Sequence, residues 1–108
     1  MKKVNWEEVP VIGWDEECEW YLADPYELVG RGTCCGYVGN KAFNEEVAEL
    51  FKKYTDKIYV GFQEDCILLI VAKVPEDVAY EIARLVNENR GSLRPDPVPS
   101  GWVYFESE

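Results

Sequence analysis

Apolar and polar positions along this chain alternate in two distinct rhythms, and their order predicts an α+β fold. Between Phe43 and Tyr54 the apolar residues Phe43, Val47, Leu50, Phe51 and Tyr54 recur at the three-and-four spacing of one helix face. Asn44 is placed to cap that helix. Glu45 and Glu46 load its first turn and Lys52 and Lys53 its last, as the helix dipole favours. The rhythm then changes to a period of two. Ile58, Val60 and Phe62 alternate with Tyr59, Gly61 and Gln63, which predicts a strand over 57–63. Glu64-Asp65 reads as a tight turn. The next run, Cys66 to Val74, is apolar on both faces and predicts a central strand that forms a hairpin with the first.

Pro75 suits the first position of a second helix. Val78, Ile82, Leu85 and Val86 form its buried stripe, Ala79 and Ala83 allow close approach, and Gly91 is a ready stop after Arg90. Ser92 to Gly101 holds Pro95, Pro97 and Pro99 and reads as an extended loop. Trp102-Val103-Tyr104-Phe105 reads as a last strand. A strand at Thr33–Val38, with Val9–Ile12 as its rival, would sit beside Cys66–Val74 and complete a ferredoxin-like βαββαβ two-layer sandwich. The first 30 residues read as an acidic, tryptophan-rich extension to a core over 31–108, within a single domain. In that extension Glu16–Ala23 reads as a short helix capped by Asp15, although Cys18, Trp20 and Leu22 also alternate as a strand would. Asp24-Pro25 marks a turn, and Tyr26–Val29 a short strand.

Composition agrees with one small globular unit: 108 residues, 47% apolar and 14% aromatic, supply enough side chains for a core. The longest apolar run, Ile67 to Ala72, falls far short of the roughly 20 residues that span a bilayer. The first residues, Met1-Lys2-Lys3-Val4-Asn5-Trp6-Glu7-Glu8, run into acids rather than an apolar stretch. The expectation is a cytoplasmic protein without a secretory signal.

Charge narrows the function classes. The net charge is −10, and residues 1–30 carry eight acids against two lysines. Such a surface repels phosphates, which argues against direct binding to nucleic acid or an anionic membrane and favours basic partners. Histidine is absent, which removes the commonest general base and the commonest metal ligand.

Three places offer chemistry. Cys18, Cys34, Cys35 and Cys66 lack the C-x-x-C spacing of a zinc or redox pair, and adjacent strand residues point to opposite faces, so no metal or other cofactor is expected. Their bland role is as small core residues. Gly36 and Gly39, between Cys34-Cys35 and Asn40-Lys41, make a glycine-bearing link to a helix start. With Arg31 and Lys41 nearby it is a candidate for an anion or for an activated thiol, set against an ordinary turn. The third is the front segment, where Trp6, Trp14, Trp20, Tyr21 and Tyr26 are interleaved with acids that include Glu16, Glu17 and Glu19. Aromatic anchors among charges have the composition of protein-binding surfaces; the plain alternative is that they cover the sheet. The paired carboxylates Glu45/Glu46, Glu64/Asp65 and Glu76/Asp77 fall at helix starts or in a turn and are assigned no chemistry.

No catalytic constellation is assembled, so the leading expectation is a non-enzymatic protein that presents an acidic, aromatic surface to a basic protein partner. An inhibitor that imitates nucleic acid is its sharper form. The first alternative is a small-ligand, anion or thiol-dependent site at Cys34–Lys41. The second is a homo-oligomeric subunit, a homodimer formed through an exposed sheet face or the edge strand at Trp102–Phe105.

Overall fold

A computed structural model describes residues 1–10, 18–34 and 39–107. Six strands, β1 (Lys2–Val4), β2 (Glu19–Ala23), β3 (Ile58–Gln63), β4 (Cys66–Ala72), β5 (Leu93–Pro97) and β6 (Val103–Ser107), form one sheet in the order β1-β2-β3-β4-β6-β5. Every neighbouring pair is antiparallel. Two helices, α1 (Glu45–Lys52) and α2 (Glu76–Glu88), cover one face. The molecule is a small α+β domain.

The alternation of each strand explains the two-sided packing. Ala23, Ile58, Val60, Phe62, Ile70 and Phe105 face the helices and meet Val47, Phe51, Ile82 and Val86 in the main core. Residues of the opposite parity, Trp20, Leu69, Val71 and Tyr104, join Val4 and Val9 in a second buried cluster on the far face. A bulge between Gly61 and Phe62 shifts the β3–β4 register, so that Gly61 faces Leu69 while Phe62 faces Ile67. The helix termini behave as their sequence dictates. Asn44 Oδ1 accepts the amide of Val47 at 3.0 Å, and Glu76 and Asp77 open α2.

Several expectations are corrected. The sheet has six strands and does not follow βαββαβ order. The edge of β4 that a strand at Thr33–Val38 needed is occupied by β6, which pairs with Leu69 to Ala72. Thr33 keeps a single parallel bridge to Ile67 beyond the end of that ladder, and residues 35–38 lie outside the described residues. Of the rival strand, Val9 is buried in the far-face cluster next to a 3₁₀ turn at Trp6–Glu8, and residues 11–17 are again not described.

Of the helix expected over Glu16–Ala23, residues 16 and 17 lie outside the described residues and Glu19–Ala23 is instead strand β2, because a strand puts Trp20 on one face and Tyr21 and Ala23 on the other, each against an apolar neighbour. The front of the chain is therefore part of the sheet: β1 and β2 extend it beyond β3. Tyr26–Val29 is not a strand. Asp24 caps a 3₁₀ turn at Pro25–Leu28, accepting the amide of Tyr26 at 3.0 Å while Glu27 accepts that of Asp24 at 3.1 Å.

The proline-bearing loop contains β5. Its position at the sheet edge is what tolerates Pro95 and Pro97. It also removes the homodimer edge expected at Trp102–Phe105, since β6 is paired on both sides. Among the described residues, no helix is long and apolar enough to cross a membrane.

Candidate functional site

Where the β3–β4 hairpin turns, the sheet ends in a cleft of about 540 Å³ lined by Met1, Glu19, Tyr21, Arg31, Phe62, Gln63, Glu64 and Asp65. Register builds it. Glu19 of β2 pairs with Phe62 of β3 and Tyr21 with Val60, so Glu19, Tyr21 and Phe62 emerge on the same face near the hairpin end. The Tyr21 and Phe62 rings meet edge to face with centroids 5.6 Å apart. Phe62 is buried and forms an apolar wall.

The hairpin turn supplies two carboxylates at a conformational cost. Glu64 and Asp65 both have positive φ, 52° and 68°, the pattern of a two-residue type I′ turn. That region suits Gly, Asn and Asp, so Asp65 fits it, whereas the Glu64 side chain there costs about 1–2 kcal/mol. Both acids are exposed at the cleft mouth.

Arg31 supplies the cleft's side-chain positive charge, and the Met1 ammonium in the same lining is paired with Glu27. Hydrogen bonds from Gly30 N to Phe43 O (2.9 Å) and from Phe43 N to Arg31 O (3.1 Å) tie residues 30–31 to the start of α1. That anchor holds the half-buried Arg31 guanidinium 5.4 Å from the Phe62 ring centroid, a cation–π contact. Among the described residues Arg31 makes no salt bridge, although three carboxylates line the same cleft. On the opposite wall the Tyr21 hydroxyl donates to Glu19 Oε2 at 3.1 Å. That bond, followed by desolvation and the nearby negative charge, raises the phenol's pKa above its ordinary value.

The residues singled out from sequence fall in different places. Glu19 and Tyr21 line the cleft. Trp6 and Tyr26 are exposed, at 37% and 46% of their surface. Trp20 is 2% exposed and packs against Gly61, so it belongs to the far-face core and offers no contact surface. Trp14, Glu16, Glu17, Cys35 and Gly36 lie outside the described residues. Cys34 is half-buried, with Sγ 3.9 Å from the carbonyl oxygen of Gln63, which places the loop start beside the cleft wall. Gly39 has a φ of 81°, Lys41 is exposed, and the Asn40 carboxamide donates to Arg90 O at 2.9 Å. These contacts tie Asn40 to the end of α2, where Thr33 Oγ1 also accepts the amide of Ser92 at 3.0 Å. Cys18 and Cys66 are half-buried, and no group of three His, Cys, Asp or Glu among the described residues is arranged to hold a metal ion.

Sequence reasoning missed Arg31, Phe62 and the Glu64-Asp65 turn as parts of one site. The signal available was Glu64 at the first position of a two-residue hairpin turn, where Asn, Asp or Gly is favoured. The chain matches no protein-family model, no curated protein and no solved structure.

Proposed function

We propose that this chain is a non-enzymatic binding protein that presents an acidic, aromatic surface to a protein partner with a basic face. The observation that carries the reading is the exposure of Trp6 and Tyr26, each next to exposed acids: Glu7 and Glu8 beside Trp6, and Glu27 beside Tyr26. A large aromatic that stays in water costs free energy, which docking against a partner recovers. The outer surface of the helical layer adds to the field. Glu45, Glu46, Glu49, Glu76, Asp77, Glu81 and Glu88 are all exposed there, and Arg84 is held by both Glu81 and Glu88. Long-range attraction to a basic partner follows from the −10 charge, as does repulsion of nucleic acid itself. An inhibitor of a nucleic-acid-binding protein is the sharpest form of this reading, and the cytoplasm its expected location.

The test is affinity capture at low and moderate salt with nucleic acid digested, followed by titration of the captured protein against Trp6→Ser and Tyr26→Ser. A basic partner released by salt, and bound at least tenfold more weakly by the double variant, supports the proposal. No salt-sensitive partner, or one indifferent to both substitutions, sinks it.

A further inference from the structure

We infer that the hairpin cleft is a site for a small zwitterion with an apolar side chain, a free amino acid or short peptide with both termini unblocked. Three observations converge. The volume, about 540 Å³, falls in the range of small-molecule sites. The lining carries both signs, Arg31 against Glu19, Glu64 and Asp65, with Phe62, Tyr21 and the Met1 side chain as its apolar parts and the Met1 ammonium paired with Glu27. The opposite charges also stay apart. Arg84 meets Glu81 and Glu88, and Arg94 meets Glu106 at 3.0 Å, whereas Arg31 rests on Phe62 without a carboxylate partner among the described residues.

A guanidinium and carboxylates that share a cavity without closing on each other leave room for a ligand bearing both complementary charges. The ligand carboxylate takes the Arg31 fork. Its ammonium sits among the acids, and its side chain lies against the aromatic walls. Glu19 is held in place by the Tyr21 hydroxyl. The lining side chains hold three carboxylates and one cation, and the Met1 ammonium beside them is already taken by Glu27, so the ligand ammonium contributes more than the ligand carboxylate. This fixes an order of affinity: zwitterion, then the C-terminal amide, then the N-acetyl form.

The experiment is an amide NMR titration with leucyl-leucine, its C-terminal amide and its N-acetyl derivative. Expected are saturable shifts centred on Arg31, Phe62, Gln63 and Glu64 with the free dipeptide, an affinity lower by about tenfold for the C-terminal amide, and a larger loss for the N-acetyl form. Arg31→Gln should abolish the preference for a free carboxylate and leave amide binding unchanged. Glu64→Gln should weaken binding of every form that carries the ammonium. The same spectra report whether each variant is folded. No saturable shift at roughly 10 mM ligand, equal binding of the blocked forms, or shifts centred away from the cleft would overturn the inference. Arg31→Gln and Glu64→Gln leave Trp6 and Tyr26 in place, and Trp6→Ser and Tyr26→Ser leave the cleft lining in place. Dipeptide titration and salt-dependent partner capture are therefore read on different variants, and the two readings fail separately.

Discussion

Trp20 lies against Gly61 across the β2–β3 ladder: a Cβ added at residue 61 would sit 3.3 Å from the indole Cζ2 and 3.4 Å from Cε2. The ring is 2% exposed, so it has little room to retreat. Gly61→Ala should therefore destabilise the protein by about 1–3 kcal/mol through overpacking, although alanine is ordinarily the better strand residue. Trp20→Ala should cost about 3–5 kcal/mol by leaving a cavity in the far-face cluster. Because the two groups share one space, the double variant should lose less than the sum of the single losses. Urea denaturation of the four proteins completes the cycle. Additive losses would mean that indole and glycine do not constrain each other.

Asp24 and Lys52 predict a pH dependence. Lys52 Nζ lies 2.8 Å from Asp24 Oδ2, and both side chains are about 28% exposed. The lysine hydrogen bond, then the Tyr26 amide, holds the Asp24 carboxyl below its ordinary value of 3.8. The unfolded chain thus binds a proton at a higher pH than the folded chain does. The stability contributed is complete above the unfolded value and is lost as pH falls through the folded one. Lys52 is shifted the other way, above 10.5, chiefly by Asp24. Its contribution is complete below that ordinary value and is lost as pH rises through the raised one. Asp24→Asn keeps a side-chain acceptor for the Tyr26 amide but removes the charge. It should lower stability at neutral pH and make the acid limb of the stability curve shallower, as read by denaturation midpoints from neutral pH down through the aspartate range. An unchanged acid limb would show that the pair is screened by water.

How much of this was readable from sequence depends on how local each feature is. The helices and the β3–β4 hairpin were legible because Val47 and Phe51, or Val60 and Phe62, are buried by the periodicity of their own segment. Strand β2 was ambiguous because Trp20 and Leu22 fit either rhythm over so short a run. The choice is made by pairing with residues about forty positions away. Strand β5 was hidden by Pro95 and Pro97, which exclude a central strand but not an edge. The strand expected at Thr33–Val38 failed for a topological reason, since β6 takes the place beside β4. The cleft was least legible of all. Glu19, Arg31 and Asp65 meet only through the sheet register and the tie between Gly30 and Phe43.

The end of α2 separates two demands that the sequence merges. Gly91 reads as the left-handed stop, yet Arg90 adopts the positive φ, 67°, and Gly91 is needed for space. A Cβ at 91 would lie 2.6 Å from Ala42 Cβ and 2.8 Å from the Val86 carbonyl oxygen. Gly91→Ala should cost about 1–3 kcal/mol. Arg90→Gly should be neutral or stabilising by up to about 1 kcal/mol, as it relieves the left-handed residue. Thermal unfolding of both variants checks the assignment, and the reverse order of stabilities would refute it.

The Glu64-Asp65 turn sets stability against the cleft. Both residues occupy left-handed backbone, and both put a carboxylate at the cleft mouth. Asn-Gly is the pair that a type I′ turn favours. Replacing both residues, Glu64→Asn with Asp65→Gly, should raise stability by about 1–2 kcal/mol, chiefly by relieving the left-handed Glu64 and removing neighbouring like charges. The same double variant deletes two of the three carboxylates around Arg31 and should weaken zwitterion binding by about tenfold or more. A more stable protein that binds less would identify the strained turn as retained for its carboxylates. A more stable protein that binds equally well would assign ammonium recognition to Glu19 alone. A less stable protein would mean that the turn acids make favourable contacts outweighing their backbone strain. Denaturation midpoints and dipeptide titration on the same samples separate these outcomes.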